Sequence, residues 1–343
     1  MIIKPKNLDF RVKLPNVSFR PPTGAQTPDW LDLVPGNVRD LVSSHLPLGL
    51  RAAEPAGNPT PDGARFLSSS FSNAAGTRPY RLYIPASYRG EPLPLVVMLH
   101  GCTQSPEDFA AGTGMNEAAE RSGCLVAYPG QTMQANVQKC WQWFNPQDQR
   151  HGSGEPSLIA GITRQVMQDY AVDPRRVYVA GLSAGGAAAA IMGAAYPDLY
   201  AAIGVHSGLA CGAARDLPTA LAAMKGGARA TPTSRAGRVM PAIVFHGTND
   251  GTVSPSNGEA VVEQSAGGAG LRREVQRRRN EGGRACTRTT FTDAAGRVVT
   301  EHWLIHGAGH AWSGGRAAGS YTDPSGPDAT AEMLRFFGEH ARP

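Results

Sequence analysis

No apolar run in the chain approaches the ~20 residues that an α-helix needs to cross a bilayer; the longest lies in the alanine-rich stretch after Ser183. Membrane insertion is therefore not expected. The start, Met1-Ile-Ile-Lys-Pro-Lys6, has an apolar pair but no continuous apolar core and no small-residue cleavage site. No secretory signal is read there, and by that reading the protein is cytoplasmic. Cysteine is scarce: Cys102, Cys124, Cys140, Cys211 and Cys286 are odd in number and lie at no metal-like spacing, which disfavours zinc and leaves room for at most two disulfides. Lysine is scarce beside arginine. The densest basic run, Arg272-Arg-Glu-Val-Gln-Arg-Arg-Arg279, carries no interleaved aromatics, so it reads as a solvated face, and no nucleic-acid partner is expected. No internal repeat is visible, and no feature sets an oligomeric state.

What is present is enough for a large core. At 343 residues and 41% hydrophobic content, the chain suits one sizeable α/β domain with an extension better than two equal domains. Ten of its 27 prolines fall in residues 1–64, which read as an extended arm and linker, with Trp30 to Val34 and Val38 to Leu46 able to supply a short docking helix. Residues 65–343 form the folded domain. There, apolar runs (Tyr80 to Ile84, Leu93 to Leu99, Leu125 to Tyr128, Val177 to Ala180, Ala201 to His206, Met240 to His246) alternate with helical periodicity around 110–122 and over 158–170. The alternation predicts a mostly parallel central sheet with helices on both faces. Arg288 to Thr292 and Val298 to Ile305 predict a hairpin whose second arm joins that sheet, and Asp328 to Phe337 an N-capped final helix. Residues 215–238 read as a cap insertion with a helix at 217–225.

The chain is organised around Val177-Tyr-Val-Ala-Gly181-Leu-Ser183-Ala-Gly185-Gly186-Ala187, which reads as strand, tight turn and helix. Its centre fits G-x-S-x-G, the pattern of a nucleophile elbow, in which a strained turn pushes the serine oxygen clear of the sheet. In a chain with 41 glycines the pattern alone is weak; the strand before it and the small-residue helix after it supply the context.

A serine hydroxyl is a poor nucleophile near neutral pH and needs an adjacent base oriented by a carboxylate. Both must come from loops at the same sheet edge. His246-Gly-Thr-Asn-Asp250-Gly offers Asp250 directly after a buried strand; Asp216 is the rival but falls in the cap insertion. The glycine-rich loop His306-Gly-Ala-Gly309-His310 offers His310, and the order Ser, Asp, His is that of α/β-hydrolases. His100, His206, His246 and His306 read as structural groups at strand ends. His302, His306 and His310 recur every four residues, but Gly307 and Gly309 break any helix that would align them, so no metal site is expected. The two oxyanion donors are expected to be the N–H groups of Ala184 and Cys102.

Together, Leu99-His-Gly-Cys-Thr-Gln104, Cys140-Trp-Gln-Trp-Phe144, Gly154-Glu-Pro156, Gly181-Leu-Ser-Ala-Gly-Gly186, His246-Gly-Thr-Asn-Asp250 and Gly309-His-Ala-Trp-Ser-Gly-Gly315 closely resemble the polyhydroxybutyrate-depolymerase family of esterases, which is related to feruloyl and acetylxylan esterases. The resemblance spans about residues 65 to 340. It implies an α/β-hydrolase fold, a Ser183–Asp250–His310 triad, ester hydrolysis without a cofactor, and extracellular work if a signal was removed. It also places Cys102 and Cys140 beside the cleft, where they are expected to pair. Trp312, Trp141 and Trp143, with Phe144, are the aromatics nearest the catalytic loops and are expected to form the substrate surface, Trp312 foremost. With no Ser/Thr-rich linker or polymer-binding module visible, short-chain esters and hydroxyalkanoate oligomers are expected over crystalline polymer. Feruloyl, acetylxylan or aryl-polyester substrates stay open, as does a non-catalytic or acyl-transferring protein on the same fold.

Overall fold

The computed structural model describes residues 61–226, 239–266, 270–279 and 283–343. The arm and docking helix expected before residue 61, and the part of the cap insertion over 227–238, lie outside the described residues.

Ten strands form one sheet: β1 (Arg65–Asn73), β2 (Gly76–Ile84), β3 (Leu93–Leu99), β4 (Leu125–Pro129), β5 (Val172–Leu182), β6 (Ala202–His206), β7 (Ala242–Gly247), β8 (Arg272–Arg279), β9 (Ala285–Thr292) and β10 (Val298–Ile305). Their spatial order is β1-β2-β4-β3-β5-β6-β7-β10-β9-β8. The six central strands, β4 to β10 in that order, pair in parallel, and the outer pairs on both sides are antiparallel. This is the α/β-hydrolase arrangement of a mostly parallel sheet. Most of the central strands are continuous apolar runs because both their faces are covered; the longer exceptions are Asp173 to Arg176 of β5 and Thr300 to His302 of β10. Alternation along each strand divides the core in two: Leu95, Val97 and Leu99 of β3 pack on one side with helices α3 (Gly154–Asp169) and α4 (Ala184–Ala195), while Val96 and Met98 pack on the other with α1 (Pro106–Thr113), α2 (Met115–Ser122) and α7 (Ala329–Gly338). Each such side chain contributes roughly 1.5–3 kcal/mol by leaving water.

Two elements refine the sequence reading of one helix around 110–122 and of a solvated face over Arg272–Arg279. The helix expected around 110–122 is two helices, α1 and α2, because Gly114 (φ 62°) closes the first turn onto Ala110 C=O. The arginine-rich run is an edge strand, β8, exposed at every residue. Five arginines along an unpaired edge repel a second copy of the same strand, which is how exposed edges are kept from pairing. The 288–305 hairpin is present, and its second arm lies against β7. A helix, α5 (Leu217–Gly226), lies in the segment where one was expected, and α6 (Ser256–Ala266) follows β7.

The tightest packing in the fold is at the turn between β5 and α4. A Cβ on Gly185 would stand 2.5 Å from His100 O, and one on Gly181 would stand 2.6 Å from Leu99 O, so both positions must be bare. We expect Gly185→Ala to cost at least about 2 kcal/mol in chemical denaturation. Gly338→Ala, where nothing lies within 4 Å of an added Cβ, should be neutral or stabilising by up to about 1 kcal/mol. Equal stability of the two variants would contradict this packing.

Candidate active site

Ser183 follows β5 with φ 58° and ψ −122°, a region that non-glycine residues rarely occupy. Such strain persists only where surroundings over-determine it, and here they do. Its N–H donates to His206 C=O (2.9 Å), its C=O accepts from Ala187 N–H (2.9 Å), and Gly181 and Gly185 let the helix close onto β3.

On the far side of the sheet edge, Asp250 and His310 meet. His310 Nδ1 lies 2.8 Å from Asp250 Oδ2, while Oδ1 accepts from the N–H groups of Thr252 (3.0 Å) and Val253 (2.9 Å). Burial by itself would raise the Asp250 carboxyl, but hydrogen bonds from His246 and His310 outweigh it and hold the group well below the usual carboxylate range. The carboxylate therefore stays ionised, fixing His310 with Nδ1 as donor and Nε2 outward. The two loops are sewn together: Thr248 N–H donates to Ile305 C=O and Asn249 N–H to Ala308 C=O, both at 2.9 Å. A Cβ on Gly247 would stand 2.7 Å from Ala308 C, which explains the glycine after His246. The rival Asp216 is exposed and accepts from Thr219 N–H (2.8 Å) at the start of α5, a capping role.

No hydrogen bond joins Ser183 Oγ to His310 among the described residues; their neighbour His206 links the two segments. Besides taking Ser183 N–H on its carbonyl, it accepts Ser313 N–H on Nε2 (3.0 Å). Its ring is buried and stacked between Phe245 and Trp312, and burial lowers its pKa to about 3, so it is a neutral acceptor throughout the physiological range. Sequence reasoning treated His206 as an ordinary strand-end histidine; it ends β6 in register with Leu182, the residue before Ser183, a pairing that the sequence does not display. His306, by contrast, lies against Thr287 Oγ1 (2.9 Å).

The N–H groups of Cys102 and Ala184 make no hydrogen bond among the described residues. Ala184 opens α4, where helical geometry leaves the first amides without partners. Cys102 follows β3, and its neighbour Thr103 takes φ 66°. A disulfide joins Cys102 to Cys140. His100 is buried and neutral, its pKa lowered by desolvation to about 4; its Nδ1 bonds Gly101 C=O (2.7 Å) and its Nε2 accepts Gln131 N–H (3.0 Å).

The tryptophans are a correction. Trp312 is 1% exposed, its ring edge-on to Phe109 and its indole N–H given to Thr330 Oγ1 (3.0 Å). Trp141 is 1% exposed and donates to His100 C=O (3.0 Å), and Trp143 is 7% exposed against Phe144. Their surface is spent inside the protein, so none offers a substrate face. On the segments that contact the Cys102 loop the exposed apolar side chains are instead Met133, Val137 and Tyr321. Tyr321 is 47% exposed and its hydroxyl lies 3.2 Å from Thr103 Oγ1, while Thr103 N–H donates to Gln138 C=O (2.6 Å).

Among the described residues no helix is long and apolar enough to cross a membrane. Comparison with known proteins agrees with the geometry. A family model described as esterase PHB depolymerase matches residues 78–286. Poly(3-hydroxyalkanoate) depolymerase C of Paucimonas lemoignei is 31% identical over 253 residues, covering 71% of this chain and 60% of that protein. Poly(3-hydroxybutyrate) depolymerase of Ralstonia pickettii is 31% identical over 253 residues, covering 68% of this chain and 51% of that protein. The chain thus matches between half and two thirds of these relatives' length. Among solved structures, an acetyl xylan esterase from Aspergillus awamori aligns with a TM-score of 0.64 at 21% identity over 80% of this chain and 99% of that one, a likeness of fold.

The cysteine arrangement gives a direct test. Cys124, Cys211 and Cys286 are buried thiols, and burial pushes the first two up to about 11, where thiolate is scarce. Thiol titration should therefore find almost no reactive thiol in the native protein and three after unreduced denaturation. Five thiols would refute the Cys102–Cys140 bond. Reducing that bond, which spans 38 residues, should cost up to about 4 kcal/mol.

Proposed function

The chain belongs to the esterase PHB depolymerase family, and from that premise we propose that it is a serine carboxylesterase acting on short-chain esters and hydroxyalkanoate oligomers. The observation that carries this reading is the ionised Asp250 holding His310 (2.8 Å) at the sheet edge where Ser183 stands in a strained turn. Ser183 Oγ attacks the ester carbonyl carbon while His310 Nε2 takes the hydroxyl proton, and Asp250 stabilises the resulting imidazolium. The developing oxyanion accepts the N–H groups of Cys102 and Ala184. Collapse expels the alcohol, protonated by His310, and leaves an acyl-serine. Water, deprotonated by the same histidine, then releases the acid and restores the serine. No cofactor enters any step.

Met133, Val137 and Tyr321 supply the apolar rim on which a neutral, moderately apolar oligomer rests. The Cys102–Cys140 disulfide supports an oxidising place of work, outside the cytosol.

Ser183→Ala and His310→Ala should each lower kcat at least ~10³-fold with the fold intact, and Asp250→Asn comparably or less. Turnover of p-nitrophenyl butyrate together with fluorophosphonate labelling measures this, and a folded Ser183→Ala protein with near-native turnover would end the assignment. A panel of hydroxybutyrate oligomers, acetylated xylan and methyl ferulate ranks the substrate classes.

The rim makes a separate prediction. Tyr321→Ala should raise KM for oligomers more than for p-nitrophenyl acetate, because the small ester does not reach the rim. Trp312→Ala should instead lower the unfolding free energy, by the roughly 3–5 kcal/mol typical of emptying a buried tryptophan site. Equal effects of Tyr321→Ala on both substrates would remove Tyr321 from the substrate surface.

A further inference from the structure

Glu155, in the Gly154-Glu-Pro156 motif, has no part in the chemistry above, yet it is among the few buried carboxylates of the fold. It sits in the first turn of α3, and its own N–H donates to Asp148 Oδ1 (2.7 Å). Its side chain accepts from three directions: Gln142 N–H on Oε2 (2.7 Å), and Arg78 Nη2 (3.3 Å) and Gln131 Nε2 on Oε1. Two of those donors belong to the segment from Gln131 to Gln142. That segment is fastened to the end of β3 at four points. They are the Cys140–Cys102 disulfide, Gln131 N–H on His100 Nε2 (3.0 Å), Trp141 Nε1 on His100 C=O (3.0 Å) and Thr103 N–H on Gln138 C=O (2.6 Å). Gln131 Nε2 also donates to Cys140 C=O (3.1 Å), closing the circuit from carboxylate to disulfide.

We propose that Glu155 is a positioning residue for ester hydrolysis, clamping the 131–142 segment so that the Cys102 N–H is aimed at the oxyanion. The inference rests on the assignment of Cys102 as an oxyanion donor. A carboxylate suits the task because it is acceptor-only and can take three donors at once, whereas an amide of the same shape would present its own N–H groups to one of them. Burial pushes Glu155 up to about 7, against the lowering by its hydrogen bonds and Arg78, with Asp148 adding to the rise; Arg215 and Asp216 stand on the same cavity wall. A carboxyl raised in the folded state favours folding while protonated, at low pH. That contribution is lost as pH rises through about 7. Activity and stability are therefore read side by side at pH 8, where the group is ionised.

The decisive variant is Glu155→Gln, read at pH 8 beside wild type. Ester turnover and Ser183 labelling by a fluorophosphonate are measured first in wild type; their failure there would undo the esterase reading rather than this one. With wild type active, Glu155→Gln should lower kcat about ten-fold, less than the ~10²–10³ that follows deletion of an oxyanion donor. KM should stay within about two-fold, as for an interaction made in the transition state. The variant should stay folded at the assay temperature, and amide hydrogen exchange should quicken over 131–142 and 100–103. Gln131→Met, which removes the Gln131 donor and leaves Glu155 its other partners, should reproduce the kcat loss and decides the matter if Glu155→Gln does not fold. Unchanged kcat in the folded variant, or a loss of activity that tracks a lowered Tm, would overturn the proposal.

Discussion

The contact on which the catalytic edge depends is the seating of the α4 turn against the last carbonyls of β3. Gly185 lies where a Cβ would stand 2.5 Å from His100 O, and that closeness is possible only because three positions of the turn, Gly181, Gly185 and Gly186, carry no side chain. It brings the start of α4, with its unpartnered amides, to the end of β3, where the Cys102 N–H emerges. Segments remote in sequence thereby meet, a Cβ on Gly101 standing 3.6 Å from that of Ser183, and the serine is held there in a conformation that no local preference would choose. Strain at the serine is offset by burial around it, since β3, the second half of β5 from Val177 on, and α4 are apolar almost throughout.

A second set of joints carries the other half of the site. The 246–250 and 305–310 loops are tied by backbone hydrogen bonds, so the Asp250–His310 pair is set by the β7–β10 pairing rather than by side-chain preference. His206 then connects that half to the serine through one carbonyl and one ring nitrogen. Burial keeps the rings of His100, His206 and His302 neutral, with pKa values lowered to about 4, 3 and 4. They serve as fixed acceptors or packing pieces.

Much of this was legible in the sequence because it is written in short-range patterns. Continuous apolar runs marked the buried parallel strands, the glycine-bracketed serine marked the elbow, and the glycine-rich loop marked the turn that carries His310. What the sequence could not display is which face of a side chain is used up. Trp312 stands two residues from His310 and so resembles a substrate platform; in space its ring fills the gap between His206 and Phe109, and its N–H is taken by Thr330. Tyr321, farther along, turns outward beside Thr103 with φ 52°, a backbone choice that no pattern in the sequence announces. The break at Gly114 and the strand at Arg272–Arg279 were missed for related reasons: a lone glycine inside a helical pattern and a charged run both read as something blander until their neighbours are known.

Glycine and tryptophan thus do complementary work at this edge. The glycines let backbones approach until carbonyls and amides converge, and the tryptophans fill the spaces that convergence leaves, spending their N–H groups on His100 C=O and Thr330 Oγ1. A large ring with a single donor suits such a place, since it covers apolar area and satisfies one buried acceptor at the same time. Exposed apolar contact then falls to side chains with no structural bond to make, such as Met133 and Val137, or to one bonded only through its tip, as Tyr321 is. Proximity in sequence to a catalytic loop is therefore a poor guide to substrate contact: the residues closest to the chemistry are the ones most needed to hold it still.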